Sequence, residues 1–535
     1  MGTDSHAQDG DAPSEPGRGW RLGRRGFFMA AAAGAAAPVV LSATSAQAAP
    51  GALPGAWQHA IGAPRGSDIA VSVGRAQEGR FGLLFKNLPA HQPPDDLLGS
   101  LARSMADPRP PGQDPSDHDQ WDNPDITGGY TFFGQFVDHD ITRDTTPIPQ
   151  QRTDPHGLKN FDTPMFDLGS VYGRGPEADP QLMDPARPGR LAVVEHSGLS
   201  DLPRAADGTA YLGDPRNDEN IIIAQLHVGF LKFHNALMDQ GLAFAEAQRQ
   251  TVWHYQWLIV NEFLPRICGQ RIVDGLMALG KRIPWYRPRN TLRPMIPIEF
   301  SVAAYRFGHS MVRPEYEMND ADTGPVFALP GDPRDDLRGS RPIPSNYKAD
   351  WTYFFDVPGR PRPDGLNFSR LMDTNIAKGL HDLPETVVPR DITPLFTDLA
   401  ERNLLRGKRL GLACGQDVAK ALLQKPLTNA QLGLTDKRWD GKAPLWYYIL
   451  KEAELTQGGH RLGPTGGILV AGTLLTMIFL DPTSYVQVKP AWKPATVPFT
   501  VGDLILKAET WPVPAPAPVH PAGPPDVPGP PGAVP

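Results

Sequence analysis

The stretch ENIIIAQLHVGFLKFHNALMDQGLAF, residues 219–244, constrains the fold of this chain more than any other feature. It opens with an acidic residue, Glu219, and is apolar around most of its circumference, which is typical of a helix enclosed by other elements. The next stretch, AEAQRQTVWHYQWLIVNEFLPRICG, repeats the pattern and closes with a glycine. Alternating strand patterns are scarce, so a mainly α-helical class with few short strands is predicted. Further helical segments are predicted at residues 296–312, 392–406, 415–424 and 466–481.

Length, charge and cysteine content narrow the classes of function. A chain of 535 residues has ample material for a buried core. Its 52 basic and 59 acidic residues leave a formal net charge of −7, which offers no general attraction to nucleic acid or anionic lipid. Two cysteines, Cys268 and Cys414, make neither a disulfide framework nor a zinc cluster. The apolar run GGILVAGTLLTMIFL is too short to cross a bilayer, so no stable membrane span is expected.

The N-terminal region resembles an export signal. Arg24 and Arg25 precede an Ala-rich apolar stretch, and a small-residue cleavage site follows at Ala46-Gln47-Ala48. This pattern indicates twin-arginine export to the cell envelope or beyond, a route that carries folded proteins, often with a cofactor already bound. The predicted division is a signal peptide at residues 1–48, an N-terminal extension at 49–90, a catalytic domain at 91–510 and a Pro-rich disordered tail at 511–535.

The motif GQFVDHD places Gln135, Asp138, His139 and Asp140 inside the apolar-aromatic run YTFFGQFVDHDIT. Polar and charged groups are costly to bury unless each has a partner or a ligand. A structural hydrogen-bond network would satisfy them. A His-Asp metal-dependent phosphohydrolase is another interpretation, which would need further ligands such as His227 and His234 from the long helix.

Two more motifs carry candidate functional residues. In GDPRNDE, Arg216 and Glu219 lie three residues apart at the predicted start of a helix, which is ordinarily a capping or salt-bridge arrangement. In YRFGHSMVRP, His309 follows a glycine on an apolar segment, where a lone histidine is ordinarily a core residue. Each motif alone is a weak indication of function.

Together, the motifs GQFVDHD, GDPRNDE, AQLHVGFLKFHN, YRFGHSMVRP and RNLLRGKRLGL are similar in order and spacing to those of the animal haem peroxidase family. The resemblance covers residues 90–510. It implies a large, single, mostly α-helical domain of the myeloperoxidase-like type around one buried haem b. With the export signal, it indicates an exported bacterial member.

The resemblance implies a role for five residues. His139 matches the distal histidine above the haem iron, Gln135 its neighbouring glutamine, and Arg216 the distal arginine. His309 matches the proximal iron ligand, and Asn403 matches the asparagine that hydrogen-bonds the proximal imidazole.

These residue types suit peroxide cleavage. A neutral imidazole such as His139 can accept a proton from one peroxide oxygen and return it to the departing oxygen. A fixed guanidinium such as Arg216 can stabilise the charge on that oxygen, an effect on the order of 3 kcal/mol in comparable sites. The implied partners are hydrogen peroxide and a small reductant, such as a phenolic or aromatic compound, bromide, iodide or thiocyanate.

The carboxylates beside these residues match positions that form ester bonds to haem methyl groups in mammalian members. Asp138 and Glu219 occupy both positions, which predicts one or two covalent haem links. Asn220 stands where the most oxidising halide-using member has a methionine, so efficient chloride oxidation is not expected.

A calcium site is implied by the stretch DTPMFDLGSVYG. Asp140 matches the residue that joins the distal helix to a calcium loop, and mixed oxygen ligands suit Ca²⁺. The predicted loop ligands are Thr163, Met165 through its carbonyl, Asp167 and Gly169, with Ser170 as the substitute where Gly169 departs from the family's usual serine. A simple Asx-type turn is the alternative interpretation of this loop.

Two other functions remain open at the level of sequence. A fatty-acid dioxygenase of the same superfamily uses a tyrosine three residues before the proximal histidine, where this chain has Arg306, although Tyr305 is adjacent. The other is a non-enzymatic exported haem-binding or adhesion module. The arginine favours a peroxidase.

Overall fold

The computed structural model describes residues 79–107, 120–142, 159–160, 164–196, 198–283, 295–328, 335–384 and 397–512. The predicted signal peptide, most of the N-terminal extension, nearly all of the Pro-rich tail and Thr163 lie outside these ranges.

Helices dominate the described residues, which confirms the mainly α prediction. The α-helices are α1 Asp95–Ser104, α2 Gly129–Ile141, α3 Gly169–Tyr172, α4 Ile221–Asp239, α5 Phe244–Leu258, α6 Leu264–Cys268, α7 Gln270–Leu279, α8 Ile298–Val302, α9 Leu399–Arg409, α10 Gly415–Ala421, α11 Leu445–Gln457, α12 Pro464–Leu480 and α13 Val501–Glu509.

Helix α4 is the central helix predicted from residues 219–244. Asn220 caps it, because its side-chain oxygen accepts a hydrogen bond from the Ile222 N–H at 2.8 Å. Of its 19 residues 15 are buried, as α2, α5 and α13 pack around it. It is long and apolar enough to cross a membrane by length and composition, yet 78% of that window is buried inside the protein. Its apolar circumference is therefore explained by packing.

The helix predicted at residues 245–269 is continuous but not uniform. Between α5 and α6 the backbone forms a π-helical turn at Ile259–Phe263. Pro265 lies two residues after the end of this turn. A proline has no N–H to donate to the preceding turn, and its ring crowds the carbonyl four residues earlier. A wider turn relieves both problems. The segment ends at Gly269, whose φ of 84° is a left-handed conformation that favours glycine.

The prediction of a single helix at residues 296–312 is wrong. The segment is a two-residue strand at Ile296–Pro297, the short helix α8, and a 3₁₀ helix at Ala304–His309. Pro297 prevents an earlier helical start, and the backbone of Ala303 departs from helical geometry with φ −131° and ψ −68°. This break sets the direction of the 3₁₀ helix that carries His309.

The described strands are short, as expected, and lie in one three-stranded sheet and three two-stranded sheets. They are β1 Gly79–Gly82, β2 Asp122–Thr127, β3 Lys159–Asn160, β4 Val194–His196, β5 Leu199–Asp201, β6 Ile296–Pro297, β7 Glu315–Glu317, β8 Thr323–Pro325 and β9 Phe368–Arg370. The three-stranded sheet has the order β3-β1-β6; β1 is antiparallel to β3 and parallel to β6.

The antiparallel pair β2–β9 positions the start of α2. Directly after β2, the Gly128 N–H donates to the Asn367 carbonyl at 2.7 Å and the Gly129 N–H to the Phe354 carbonyl at 3.1 Å. A Cβ atom on Gly129 would lie 2.4 Å from that carbonyl oxygen, so only glycine fits here. The first turn of α2 is thus pressed against a neighbouring loop.

Candidate active site

A cavity of ≈ 510 Å³ lies between α2, the 3₁₀ helix Ala304–His309 and α9. This volume is within the range of about 300–1,000 Å³ for small-molecule and cofactor sites. His139 and His309 both line it, although they are far apart in the sequence. The fold therefore brings the two predicted histidines to one space.

Helix α2 presents its predicted polar residues on one face. Gln135, Asp138 and His139 follow the i, i+3, i+4 spacing, which places side chains on the same side of a helix. All three line the cavity, while Phe133 and Phe136 are completely buried in the core behind them.

Glu219 connects this face to the start of α4. Its Oε1 accepts a hydrogen bond from Gln135 Nε2 at 2.6 Å and lies 3.5 Å from His139 Nε2. The Glu219 side chain is 49% exposed, and it lines the cavity. Burial alone would raise the pKa of Glu219, but the contacts with His139, Arg216 and Gln135 hold it below the usual value. Glu219 is therefore ionised at neutral pH.

The other ring nitrogen of His139 begins a buried chain of hydrogen-bonded side chains. His139 Nδ1 lies 2.9 Å from Asn217 Oδ1, and Asn217 Nδ2 lies 3.0 Å from His227 Nδ1. Because an amide oxygen only accepts, His139 carries a proton on Nδ1. Burial lowers the pKa of His227 to about 3, so that imidazole is neutral. Asn217 was not predicted from the sequence, because no local pattern identifies a residue that bridges two histidines from other turns.

Arg216 does not belong to the cavity lining. Its guanidinium donates to Asp214 through Nε and Nη2, at 3.2 and 2.7 Å. Nη2 also donates to the backbone carbonyls of His139, at 3.3 Å, and of Thr142. Nη1 lies 3.9 Å from Asp138 Oδ2. In this conformation Arg216 links the C-terminal end of α2 to the loop before α4 by hydrogen bonds.

His309 occupies the opposite side, at the end of its 3₁₀ helix. Asn403 Nδ2 on α9 lies 2.8 Å from His309 Nδ1. The Oδ1 atom of Asn403 accepts from the Arg306 guanidinium, which turns the amide nitrogen towards the imidazole. Burial, together with the nearby charge of Arg306, lowers the pKa of His309 to about 3. His309 is thus a neutral imidazole, and Nε2 is the ring nitrogen that Asn403 does not contact.

Tyr305 and Arg306 have separate environments. The Tyr305 hydroxyl donates to the Gly134 carbonyl at 3.1 Å, and its ring lines the cavity. Arg306 also donates to the Ser301 carbonyl at 3.1 Å. The position that carries a tyrosine in the dioxygenases is therefore a cation bonded to Asn403.

The α9 side of the cavity suits an anionic molecule. Arg402, Arg406 and Arg409 line it, together with apolar side chains such as Leu380 and Leu399. Burial and the neighbouring charge of Arg406 lower the pKa of Arg402, so a bound carboxylate would relieve their repulsion. The Ser301 hydroxyl, which also lines the cavity, is buried and has no hydrogen-bond partner. A planar apolar group with carboxylate substituents and a metal at its centre fits these donors and the two histidines.

The predicted calcium loop lies behind α2. Asp140 accepts hydrogen bonds from the N–H groups of Leu168 at 3.1 Å and Ser170 at 3.3 Å, and Asp167 accepts from Gly169 at 2.9 Å. The last contact is an Asx-type turn. Leu168 has a left-handed backbone with φ 54°, which costs on the order of 1–2 kcal/mol. Met165 lies in the same loop, and the buried Ser170 hydroxyl has no partner.

The phosphohydrolase interpretation finds no support. His227 contacts Asn217, and His234 Nδ1 lies 3.0 Å from the Tyr172 hydroxyl. In the part of the chain that the structure describes, no three His, Cys, Asp or Glu side chains gather as a metal site.

Residues 146–330 match the sequence model of the family described as animal haem peroxidase. Over this part of its length, the chain is similar to the animal haem peroxidase family. The matched range includes Arg216, Glu219 and His309 and begins after His139.

Curated peroxidases are similar over part of their length. The chorion peroxidase of Aedes aegypti is 29% identical over 357 residues, which are 60% of this chain and 41% of that protein. The thyroid peroxidase of Homo sapiens is 25% identical over 221 residues, which are 35% of this chain and 22% of that protein. The chain thus spans less than half of the length of these haem peroxidase relatives.

Solved structures share the fold of this chain. Peroxidase A from Dictyostelium discoideum superposes with a TM-score of 0.54 at 16% identity, covering 77% of this chain and 89% of that one. The fatty acid alpha-dioxygenase of Arabidopsis thaliana has a TM-score of 0.51 at 16% identity, covering 76% and 73%. The fold is common to both activities and does not choose between them.

Proposed function

We propose that the protein is a haem-dependent peroxidase, which uses hydrogen peroxide to oxidise small electron donors. The observation that carries this proposal is the shared cavity, with a neutral His309 on one side and His139 with Gln135 and Glu219 on the other. A bound haem would supply the redox-active iron that carries electrons from the donor to peroxide. Phenolic and aromatic compounds, bromide, iodide and thiocyanate are the proposed donors.

His309 would hold the iron through Nε2. A neutral imidazole that binds metal through Nε2 carries its proton on Nδ1, whereas Asn403 here presents its amide nitrogen to that atom. A half-turn of the Asn403 amide would place its oxygen there and its nitrogen towards Arg306, so Arg306 opposes the turn. Asn403 and Arg306 together would therefore tune the basicity of the iron ligand.

His139 would move the proton between the two peroxide oxygens. Because Asn217 holds the proton of the ring on Nδ1, the lone pair of a neutral His139 is on Nε2 beside Gln135 and Glu219. Gln135 would orient peroxide. Arg216 would fix His139 through its bond to the His139 carbonyl, while its Nη1 near Asp138 would supply the positive charge assigned to the distal arginine.

Asp138 and Glu219 would bind haem methyl groups as esters, because both carboxylates line the cavity. Peroxide would be the oxidant that forms each ester. A methyl C–H bond and a carboxyl O–H bond are lost, one C–O bond forms, and one peroxide becomes two waters. After peroxide treatment, we expect haem to stay with the wild-type chain on acid-acetone extraction. Asp138→Asn should lose one link and the Asp138→Asn, Glu219→Gln double variant both. Complete extraction of haem from the wild type would contradict this prediction.

The calcium proposal rests on the loop between Asp140 and Ser170, with Thr163, Met165, Asp167 and Gly169 as further ligands. Asp140 and Asp167 face the same backbone, and the Ser170 hydroxyl is buried without a partner. One calcium per chain should appear in metal analysis. Removing it should lower the free energy of unfolding by about 4 kcal/mol if the ion is present near 10³ times its Kd.

Asp167→Asn should reproduce that loss without chelator. Asp207→Asn is the matched control, because Asp207 makes the same kind of turn, to the Thr209 N–H at 3.0 Å, at an exposed site. If the thermal midpoint is unaffected by chelator in the wild type, the loop is the Asx-type turn alone.

A fatty-acid dioxygenase is the second candidate, because Tyr305 lines the cavity beside His309. The reconstituted haem protein separates the candidates. A peroxidase should oxidise a phenolic dye with added peroxide and consume little oxygen with linoleate alone. Strong oxygen uptake with linoleate and no peroxide would reverse the choice, and a haem-binding protein without either activity would indicate a binding module.

A further inference from the structure

Two of the tyrosines in the described part of the chain line the cavity, Tyr130 and Tyr305. Tyr130 is in the first turn of α2, nine residues before His139. With a rise of 1.5 Å per residue, the two Cα atoms are separated by about 14 Å along the helix axis. A single electron can tunnel across such a distance, whereas a proton cannot. Any tyrosine that donates an electron therefore needs its own proton acceptor nearby.

Tyr130 has such an acceptor in Glu262. Its hydroxyl donates a short hydrogen bond to Glu262 Oε1, inside the protein. Glu262 Oε2 accepts from the Val501 N–H at 2.8 Å, and Arg266 Nη2 lies 3.7 Å from Oε1. Two hydrogen-bond donors and a nearby guanidinium thus converge on one buried carboxylate, which favours its ionised form. Burial opposes them and raises the pKa of Glu262, so the group is a stronger base than an exposed glutamate.

The backbone places Glu262 for this contact. Glu262 lies in the π-helical turn Ile259–Phe263, and such turns are frequent at functional sites. Arg266, one turn later, stacks its guanidinium 4.7 Å from the centre of the Tyr130 ring. The Arg266 side chain is 35% exposed, whereas Glu262 is 7% exposed. The cluster of Tyr130, Glu262 and Arg266 therefore connects the cavity wall to the protein surface.

Tyr305 lacks an equivalent acceptor. Its hydroxyl donates to the backbone carbonyl of Gly134, and an amide oxygen is a far weaker base than a carboxylate. Burial raises the pKa of both tyrosines well above the ordinary value, so the difference between them is the acceptor that each hydroxyl contacts. If Tyr305 lost an electron, its proton would have to pass to the weakly basic Gly134 carbonyl. The surroundings of the two tyrosines thus select Tyr130.

We propose that Tyr130 is a redox relay that gives one electron to the haem after peroxide has oxidised it, and gives its phenolic proton to Glu262. This rests on the proposed peroxidase function. The Tyr130 O–H bond breaks, the Glu262 O–H bond forms, and Tyr130 becomes a neutral radical. A phenolic donor at the Arg266 surface then supplies one electron, loses its own proton to water, and the Glu262 proton returns to Tyr130. Donors too large for the cavity are oxidised in this way.

The test is rapid-freeze electron paramagnetic resonance of the haem-loaded full chain mixed with peroxide and no donor. The wild type should give an organic radical whose hyperfine splitting collapses when the protein contains ring-deuterated tyrosine. Tyr130→Phe should remove that signal, and the matched variant Tyr305→Phe should keep it. Glu262→Gln should slow its formation by about 10²-fold, because the proton acceptor is lost. The Soret band, recorded in the same samples, shows whether peroxide has reacted with the haem.

The outcomes separate this relay from the peroxidase function. If peroxide does not change the wild-type Soret band, both proposals fail. If the band changes but the radical persists in Tyr130→Phe, disappears in Tyr305→Phe, or forms at the wild-type rate in Glu262→Gln, the relay alone is wrong. Should Tyr130→Phe fold poorly, the Glu262→Gln rate and the Tyr305→Phe spectrum still decide.

Discussion

Replacing His139 by Ala should slow the reaction with peroxide by about 10²–10⁴-fold while haem remains bound. The change removes the base beside Gln135 and Glu219 but leaves His309 and its partner Asn403 untouched. Proton transfer between the peroxide oxygens then depends on water. Stopped-flow measurement of the Soret change against peroxide concentration gives the second-order rate directly.

His196→Ala is the matched control, because His196 is an exposed histidine on β4, away from the cavity. It should react at the wild-type rate. A His139→Ala variant that keeps the full rate would show that another group transfers the proton. Loss of haem from His139→Ala, with normal haem in the control, would instead mean that His139 holds the cofactor.

The hydrogen-bonded chain of His139, Asn217 and His227 predicts a smaller effect on the peroxide rate for a substitution of Asn217. Asn217→Leu removes the oxygen that holds the His139 proton on Nδ1. A neutral His139 can then carry its proton on either nitrogen, so part of the protein lacks a base on Nε2. The peroxide rate should fall less than in His139→Ala, and its pH profile should shift. A merely structural role of Asn217 would leave the profile unchanged.

Elements whose apolar pattern lies within one segment were predictable from the sequence. The pattern around α4 indicated a buried helix, whereas the common helical face of Gln135, Asp138 and His139 was recognised only from helix α2 in the structure. The segment at residues 296–312 was not predictable in this way. It is apolar throughout, and apolar character does not reveal that Pro297 and the backbone of Ala303 interrupt a helix.

Contacts between distant residues were beyond a reading of local pattern. Glu262 meets Tyr130 across 132 positions of the sequence, and Asn403 meets His309 across 94. The second pair was available only through the family resemblance. The first was not, because neither Tyr130 nor Glu262 belongs to one of the five motifs that carry the resemblance. The position of Arg216 against Asp214 and the end of α2 likewise depends on rotamers and backbone carbonyls, which a sequence pattern does not contain.

Replacing His309 by Gly should change how the iron is bound more than any other substitution. His309 is the histidine opposite His139 in the cavity, and its neutral imidazole offers Nε2 as a metal ligand. Without it, non-covalent haem should be retained at least tenfold less, because axial ligation and its orientation by Asn403 are both lost. Haem that is held by ester bonds should stay but show an altered Soret band and no activity with peroxide.

Added imidazole distinguishes a missing ligand from a damaged fold. The glycine variant has space for free imidazole at the place of the lost ring, next to Asn403, so millimolar imidazole should restore the wild-type spectrum. His381→Ala is the matched control: His381 is a largely buried histidine paired with Asp398 at 3.0 Å, between two leucines that line the same cavity. It should keep its haem without imidazole. A normal spectrum in His309→Gly, or equal haem loss in both variants, would mean that the iron ligand is not His309, and the assignment of the two sides of the cavity would have to be reversed or abandoned.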